Sequence, residues 1–196
     1  MAEGERTRMA KSIVFIDTEV GVDDHKIHDI GAVRQDRAYF HSASVRNFVE
    51  FIAGAEYICG HNILHHDLKY IHDSLGYELR VTVIDTLYLS PLLFPKRPYH
   101  ALLKDDKLQT EQLNDPVNDC QKAASLFYDE VNAFFDLPPK VKQIFCCLLY
   151  DHPEFSGFFQ YVNFRPYKAK IYELIHMEYE GRICTCLLYT SPSPRD

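Results

Sequence analysis

Two acidic residues end an apolar stretch near the N-terminus. Residues 12–20 read Ser-Ile-Val-Phe-Ile-Asp-Thr-Glu-Val, a run that predicts a strand buried on both faces. Side chains two positions apart on a strand point the same way, so Asp17 and Glu19 are expected to project together. Two like charges held this close repel unless a cation lies between them. The pair therefore indicates a metal site; the alternative is that Asp17 caps the strand and Glu19 is a solvated loop acid.

A third acid, Asp67, is expected to face the protein interior. A short buried strand is predicted at residues 57–62, followed by a helix with an apolar face of Leu64, Leu68, Ile71 and Leu75. Asp67 lies three residues after Leu64 and four before Ile71, so its carboxylate turns toward the buried side. A buried carboxylate needs a partner. That partner is either a metal ion or a hydrogen-bond donor such as a backbone amide, His61, His65 or His66.

A fourth acid lies in the first turn of a later helix. Asn114 or Asp115 is the predicted cap of this helix and Pro116 its first residue. Asp119 follows in the first turn, where the backbone dipoles favour an anion, so an ordinary helix-end charge is the alternative to a metal ligand. The apolar stripe of the helix is predicted to comprise Cys120, Ala123, Ala124, Phe127, Val131 and Phe134.

The elements that must position these acids form an α/β plan. After the first strand we predict a hairpin over residues 26–36 and 37–44, then a short helix with Val45, Phe48, Val49 and Ile52 on one face. A strand at 79–84 ends in Asp85-Thr86, which is expected to be a cap or turn rather than a ligand. Leu137-Pro138-Pro139 marks a boundary, and short helical pieces after it either dock on the first unit or begin another; they are predicted at 141–150, 154–162 and 168–180.

The loop predicted at residues 91–107 mixes basic and aromatic side chains. It contains Lys96, Arg97, Tyr99, His100 and Lys104. Such a loop can grip a phosphate backbone and stack a base, although an ordinary solvated loop would have the same composition.

Composition limits the possible classes. The 196 residues carry a formal net charge of −7, so no global basic field attracts nucleic acid or an anionic membrane. The six cysteines form no C-x-x-C pair and no secretory signal precedes them, so we expect reduced thiols and a cytoplasmic location. The apolar runs are too short to span a membrane, and no nucleotide-binding P-loop is present.

Taken together, these motifs resemble the DEDD superfamily of 3′–5′ exonucleases, the DnaQ-like group. Residues 15–19, 60–67 and 114–119 resemble its first, second and third motifs, and Asp85-Thr86 matches a strand end common in the group. The resemblance covers roughly residues 11–136. It implies a ribonuclease H-like α/β fold, in which a mixed five-stranded sheet has an antiparallel meander of strands 1–3 and then parallel strands. Helices flank the sheet, and a short helical segment follows.

The resemblance also implies roles for individual residues. Enzymes of this group bind two Mg²⁺ or Mn²⁺ ions, and a metal-bound water attacks the terminal phosphodiester of a nucleic acid, expected here to be DNA, releasing a nucleoside 5′-monophosphate. By analogy Asp17 bridges both ions, Glu19 and Asp119 bind one, and Asp67 binds the other. Thr18 and Asn62 would line the pocket for the 3′-terminal nucleotide.

Two positions in the third motif depart from the family. The third motif usually has a His five residues before its Asp, or a Tyr four before, and here these positions are Asn114 and Asp115. Asn cannot accept a proton at neutral pH. The metal alone, or His100 from the basic loop, would have to activate the water. The alternatives are a weak or inactive domain that binds a 3′ end and positions a neighbouring activity, and a purely structural interaction domain.

The C-terminal part carries two further expectations. The segment after Pro139, treated as a helical linker or the start of a following domain at 137–185, resembles the linker of bacterial proteins in which an exonuclease domain precedes a RecQ-like helicase. A helicase domain in the same full-length chain is therefore expected. Residues 186–196 match the in-frame translation of a transposase adapter used in sequencing libraries, and we exclude them from fold reasoning.

Overall fold

The computed structural model describes residues 11–100, 102, 115–167 and 170–181. Two predictions lie outside the described residues, namely that Asn114 caps a helix and that residues 186–196 are a foreign tail. Lys104 of the basic loop lies outside them as well.

The described residues form a mixed five-stranded sheet in the order β3-β2-β1-β4-β5. The strands are β1 (Ile13–Val20), β2 (Ile27–Arg34), β3 (Tyr39–His41), β4 (Tyr57–Gly60) and β5 (Thr82–Asp85). Strand β2 pairs antiparallel with β1 and with β3, while β4 pairs parallel with β1 and with β5. The predicted fold class is confirmed: an antiparallel meander continues into parallel strands, and helices flank the sheet. This architecture is compatible with a ribonuclease H-like fold.

Seven helices are described. They are α1 (Val45–Phe51), α2 (Asp67–Leu75), α3 (Thr86–Leu93), α4 (Pro116–Asp136), α5 (Pro139–Leu149), α6 (Pro153–Tyr161) and α7 (Ile171–Tyr179). Among the described residues, no helix is both long and apolar enough to span a membrane.

Strand β1 separates two cores. Ile13 and Phe15 pack with the cluster that contains residues of α4 and α6, whereas Val14 and Ile16 pack with the cluster under α1 and α2. Because neighbouring side chains on a strand point to opposite faces, Asp17 and Glu19 continue the row that faces α4. Thr18, between them, continues the row that faces α2. The two acids of β1 therefore face the layer that contains α4, and the Thr18 hydroxyl faces the layer that contains α2.

The second helix begins later than its apolar spacing predicts. Leu64 lies in a turn, and α2 starts at Asp67, so Asp67 is the first helical residue rather than one turn inside. The reason is that hydrogen bonds to Asp85 hold the backbone of residues 61–66 in a turn. Asn62 adopts a left-handed φ of 66°, and the Asp85 carboxylate accepts hydrogen bonds from the amides of Asn62 and Leu64.

A helix replaces the start of the predicted basic loop. Helix α3 continues to Leu93 although Pro91 lies within it. Asp85 caps its N-terminus by accepting a hydrogen bond from the Leu87 amide at 2.9 Å, as the cap prediction for Asp85 required. Leu89 and Leu93 are buried, and this burial outweighs the loss of one helical hydrogen bond at Pro91.

The helices after Leu137 resemble those predicted, and α6 docks on the first unit. Gly157 lies so close to β5 that a Cβ there would collide with the carbonyl oxygen of Val83. Phe158 and Phe159 are buried beside Phe134 of α4, with ring centroids 5.4 and 5.9 Å away. The four cysteines that the structure describes are free thiols.

Candidate metal centre

Three carboxylates meet at the C-terminal end of β1. Asp17 and Glu19 come from the strand and Asp119 from the first turn of α4, and each offers an oxygen within 4.8 Å of the others. All three residues are partly buried. Carboxylate oxygens at this spacing are suitable ligands for a hard divalent cation, so the cluster could hold a metal ion.

A glycine on β2 lets the N-terminus of α4 lie close to the sheet, and an aspartate caps that end of the helix. Gly31 pairs with Asp17 across β1 and β2, and a Cβ on Gly31 would lie 2.6 Å from the carbonyl oxygen of Pro116. Asp115 caps the helix by accepting a hydrogen bond from the Val117 amide at 3.0 Å. This confirms Asp115 as the cap and Pro116 as the first helical residue. The close approach at Gly31 therefore sets how near Asp119 comes to Asp17.

Asp67 reaches the same region from the opposite layer. It is buried, and its Oδ1 accepts hydrogen bonds from both the amide and the hydroxyl of Thr18, each at 2.7 Å. The backbone-amide partner named as an alternative to metal is thus present. Asp67 is not a member of the three-carboxylate cluster, yet its charge acts on Asp17. Its metal-binding role stays a prediction.

The surroundings of Asp17 disfavour its charged form. Burial raises the pKa of Asp17 to about 8, and the negative charges of Asp67, Asp119 and Glu19 add to the increase. A carboxylate in such a place is protonated at neutral pH unless a cation compensates the field. The three residues therefore fit a divalent cation. All of their ligand atoms are carboxylate oxygens that lie close together, and a bound cation would favour the charged form of Asp17.

His66 lies at the solvent side of this centre. Its Nδ1 is 3.8 Å from Oδ1 of Asp67, and its side chain is about half exposed. The neighbouring Asp67 carboxylate raises the pKa of His66. Partial burial opposes this increase, and the charges of Asp17 and Glu19 add to it. His66 thus partly offsets the negative charge of the acids.

Asp85 holds the loop that carries His66. The Asp85 carboxylate accepts hydrogen bonds from the amides of Asn62, Leu64 and Leu87 at 2.8, 3.1 and 2.9 Å. Burial nevertheless raises the pKa of Asp85, while these three bonds lower it. The backbone of Asn62 is therefore held by Asp85, and the role of Asn62 in a nucleotide pocket stays a prediction.

His100 lies outside the carboxylate cluster. Its Nδ1 is 2.9 Å from the hydroxyl of Ser90 on α3, and the ring forms part of a cleft beside α4. A second histidine, His61, has its Nδ1 2.8 Å from the hydroxyl of Thr86, one turn earlier on the same helix. Whether His100 takes part in catalysis stays a prediction.

Sequence reasoning missed a lysine next to the acids. The Lys122 ammonium donates a hydrogen bond to Oδ1 of Asp119 at 3.2 Å. The signal was available, because residues three apart on a helix are neighbours on its surface.

Sequence reasoning also missed a buried acid, Glu130 of α4. Its side chain is fully buried, and neither carboxylate oxygen has a hydrogen-bond partner among the residues that the structure describes. Burial raises the pKa of Glu130 to about 9, with a smaller contribution from Asp85. The signal was its position three residues after Phe127 and four before Phe134, on the buried stripe of the helix.

Replacing Glu130 by Met is expected to stabilise the protein by about 1–3 kcal/mol, because Met fills similar volume without a polar group that lacks a partner. The folded state retains the Glu130 proton that the unfolded chain releases above its ordinary pKa of 4.5, so wild-type stability falls as pH rises from there to about 9. Thermal unfolding across this range should show a weaker pH dependence in Glu130→Met. The exposed Asp129→Met is the control, and equal pH slopes in the two variants would refute the prediction.

No protein-family model matches this chain, and no curated protein matches it. The chemistry of the site therefore has to be argued from its own residues. It offers three carboxylates that lie within 4.8 Å of one another, and a fourth, Asp67, is hydrogen-bonded to Thr18 in the opposite layer. Such an arrangement can bind divalent cations and, through them, an anionic oxygen of a substrate.

Proposed function

We propose that the protein is a DEDD-type 3′–5′ exonuclease that hydrolyses the terminal phosphodiester of a nucleic acid, with DNA as the expected substrate, and releases nucleoside 5′-monophosphates. The observation that carries the proposal is the convergence of Asp17, Glu19 and Asp119 within 4.8 Å, at the end of a central strand whose Thr18 binds Asp67. The four residues lie in the three stretches of sequence that resemble the motifs of that superfamily.

In this proposal the acids divide between two ions. Asp17, Glu19 and Asp119 would hold one Mg²⁺ or Mn²⁺, and Asp67 would hold the second together with Asp17. Bound ions of this kind supply an activated water and stabilise the leaving oxygen. Thr18 orients Asp67 through its amide and hydroxyl, and the pair fixes α2 against β1. Thr18 and Asn62 would line the pocket for the terminal nucleotide.

Hydrolysis also needs a group that accepts a proton from the attacking water. The carboxylate of Asp115 caps α4, which leaves it poorly placed to act as a base. We assign the role to His100, whose ring is held by Ser90 near the same helix. A domain that binds a 3′ end with little or no hydrolysis is the second candidate. The capping role of Asp115, where the family has its Tyr, is the observation that favours it.

A nuclease assay tests the proposal. The purified chain is incubated with single-stranded DNA labelled at its 3′ end, in Mg²⁺, in Mn²⁺ and in EDTA, and the products are separated by chromatography. We expect metal-dependent release of nucleoside 5′-monophosphate, and a loss of about 10²–10³-fold in rate for Asp17→Ala, typical of removing one electrostatic stabiliser. Retained binding of the 3′ end without release would favour the second candidate, and neither binding nor release would exclude both.

A further inference from the structure

A lysine ammonium contacts one member of the carboxylate cluster. Lys122 lies three residues after Asp119, so the two side chains are neighbours on the surface of α4. The Lys122 Nζ lies 3.2 Å from Oδ1 of Asp119 and donates a hydrogen bond to it. Asp119 is one of the three carboxylates that lie within 4.8 Å of one another. The protein therefore places a cation of its own on a carboxylate that a metal ion would use.

This ion pair is more shielded from solvent than a typical surface pair. The side chains of Lys122 and Asp119 are 25% and 17% exposed. The pair formed by Lys170 and Glu173 at the start of α7 has the same spacing, but its side chains are 81% and 64% exposed. Because salt screens partly buried charges less than exposed ones, we expect the attraction between Lys122 and Asp119 to persist at physiological ionic strength.

Lys122 is nevertheless able to move away from Asp119. Its side chain is a flexible aliphatic chain with a strongly hydrated ammonium at the end, and it is not fully buried. The ammonium can therefore turn into water without becoming an unpaired buried charge. The carboxylate that it leaves behind keeps its full negative charge for another cation.

A divalent ion and the ammonium are expected to compete for Asp119. If Lys122 kept its position, a metal ion bound to Asp119 would lie beside a second positive charge, and the repulsion would weaken metal binding. His66, in contrast, contacts Asp67, which is not a member of the three-carboxylate cluster. The direct competition therefore concerns Lys122.

We propose that Lys122 is an internal competitor of the divalent ion at Asp119 and that it thereby sets the metal concentration at which the centre is loaded. The inference rests on the proposed metal-dependent function and adds a regulation of the same site. In the metal-free protein the ammonium neutralises part of the charge of the acidic cluster. When a metal ion binds, Lys122 releases Asp119 and turns to solvent.

Titration with Mn²⁺ measures this competition without any substrate. Electron paramagnetic resonance reports the concentration of free Mn²⁺, and it gives the Kd for wild type, Lys122→Met and Lys122→Arg. We expect Lys122→Met to lower this Kd by about 10-fold, because a unit charge a few ångströms from a divalent ion repels it strongly even in water. Lys122→Arg keeps the positive charge and should bind Mn²⁺ as the wild type does.

Lys140→Met is the matched control. Lys140 is exposed and lies in the first turn of α5. Its replacement removes one positive charge, as Lys122→Met does, so an effect of the overall net charge would appear in both variants. We expect the Kd of Lys140→Met for Mn²⁺ to equal that of the wild type.

Thermal unfolding provides a second measurement. In EDTA, Lys122→Met should unfold at a lower temperature than the wild type, because Asp119 loses the cation that compensates its charge. With Mn²⁺ at a concentration that only partly loads the wild type, the rise in unfolding temperature should be larger in Lys122→Met. A lysine that only held Asp119 in place would have the opposite effect, since its loss would weaken metal binding.

The results distinguish this competition from the proposed enzymatic activity. The competition is overturned if Lys122→Met binds Mn²⁺ no more tightly than Lys140→Met, if Lys122→Arg binds as tightly as Lys122→Met, or if no variant binds Mn²⁺. If Lys122→Met binds more tightly, but neither it nor the wild type releases nucleotides from 3′-labelled DNA, the competition stands and the exonuclease function fails.

Discussion

Replacing Asp17 by Asn is expected to stabilise the metal-free protein and to abolish its stabilisation by Mg²⁺ or Mn²⁺. Burial and three neighbouring acids raise the pKa of Asp17 from 3.8 to about 8. The metal-free folded state therefore keeps a proton that the unfolded chain releases, and wild-type stability falls as pH rises from about 4 to about 8. Asn has nearly the same shape as protonated Asp and does not ionise. The stability of the variant therefore lacks the pH dependence that Asp17 contributes. The variant also lacks a charged ligand for the metal ion.

Thermal unfolding with and without divalent ions measures both effects. In EDTA near pH 8, Asp17→Asn should unfold at a higher temperature than wild type, by about 2–4 °C for each kcal/mol gained. On addition of Mg²⁺ or Mn²⁺ the wild type should be stabilised by mass action, and the variant much less. Asp23→Asn, which replaces an exposed acid in the β1–β2 loop, is the matched control and should respond as wild type does. If the unfolding temperature of the wild type does not change when Mg²⁺ or Mn²⁺ is added, Asp17 does not belong to a metal centre.

The second large effect is expected from Gly31→Ala, which changes no charged group. The added Cβ would lie 2.6 Å from both the Pro116 carbonyl oxygen and the Val117 amide nitrogen. These are backbone atoms that cannot rotate away, so the N-terminus of α4 must shift. Forced overpacking of this kind costs about 1–3 kcal/mol. Because Asp119 lies in the first turn of α4, the shift also separates it from Asp17 and Glu19, and metal binding weakens.

Gly54→Ala separates the clash from the general cost of replacing a glycine. Gly54 has a φ of 82° and nothing within 4 Å of an added Cβ, so its substitution costs about 1–2 kcal/mol of left-handed strain without moving a helix. We expect Gly54→Ala to keep the full Mg²⁺-dependent rise in unfolding temperature and Gly31→Ala to lose most of it. If Gly31→Ala retains the wild-type rise, the approach of α4 to β2 does not control the metal site.

Features that depend on neighbours in sequence were predictable. The apolar run from Ile13 to Ile16 identified the central strand, because burial on both faces favours β-branched and aromatic residues. The two-residue period placed Asp17 and Glu19 on one side, and the structure brings their oxygens together. The caps at Asp85 and Asp115 were recognisable because a cap bonds an amide only two residues away.

Features that depend on contacts between distant residues were not predictable from one sequence. Pro91 indicated a loop, but burial of Leu89 and Leu93 keeps it inside α3. The spacing of Leu64 indicated an earlier helix start than Asp67, because nothing local reveals that Asp85, more than twenty residues away, holds that turn. The helical spacing indicated that Glu130 is buried, but no local pattern reports that its carboxylate has no hydrogen-bond partner among the described residues.

The sequence by itself therefore determined which acids are available and on which face of each element they lie. The tertiary structure decided how close they come, since that depends on two approaches between elements far apart in the chain. Asp67 is drawn to β1 by Thr18, and Asp119 is brought near Asp17 because Gly31 has no side chain to keep α4 away. The periodicity of a helix or strand determines on which face a side chain lies. The distance between two elements depends on the side chains and hydrogen bonds where they contact each other.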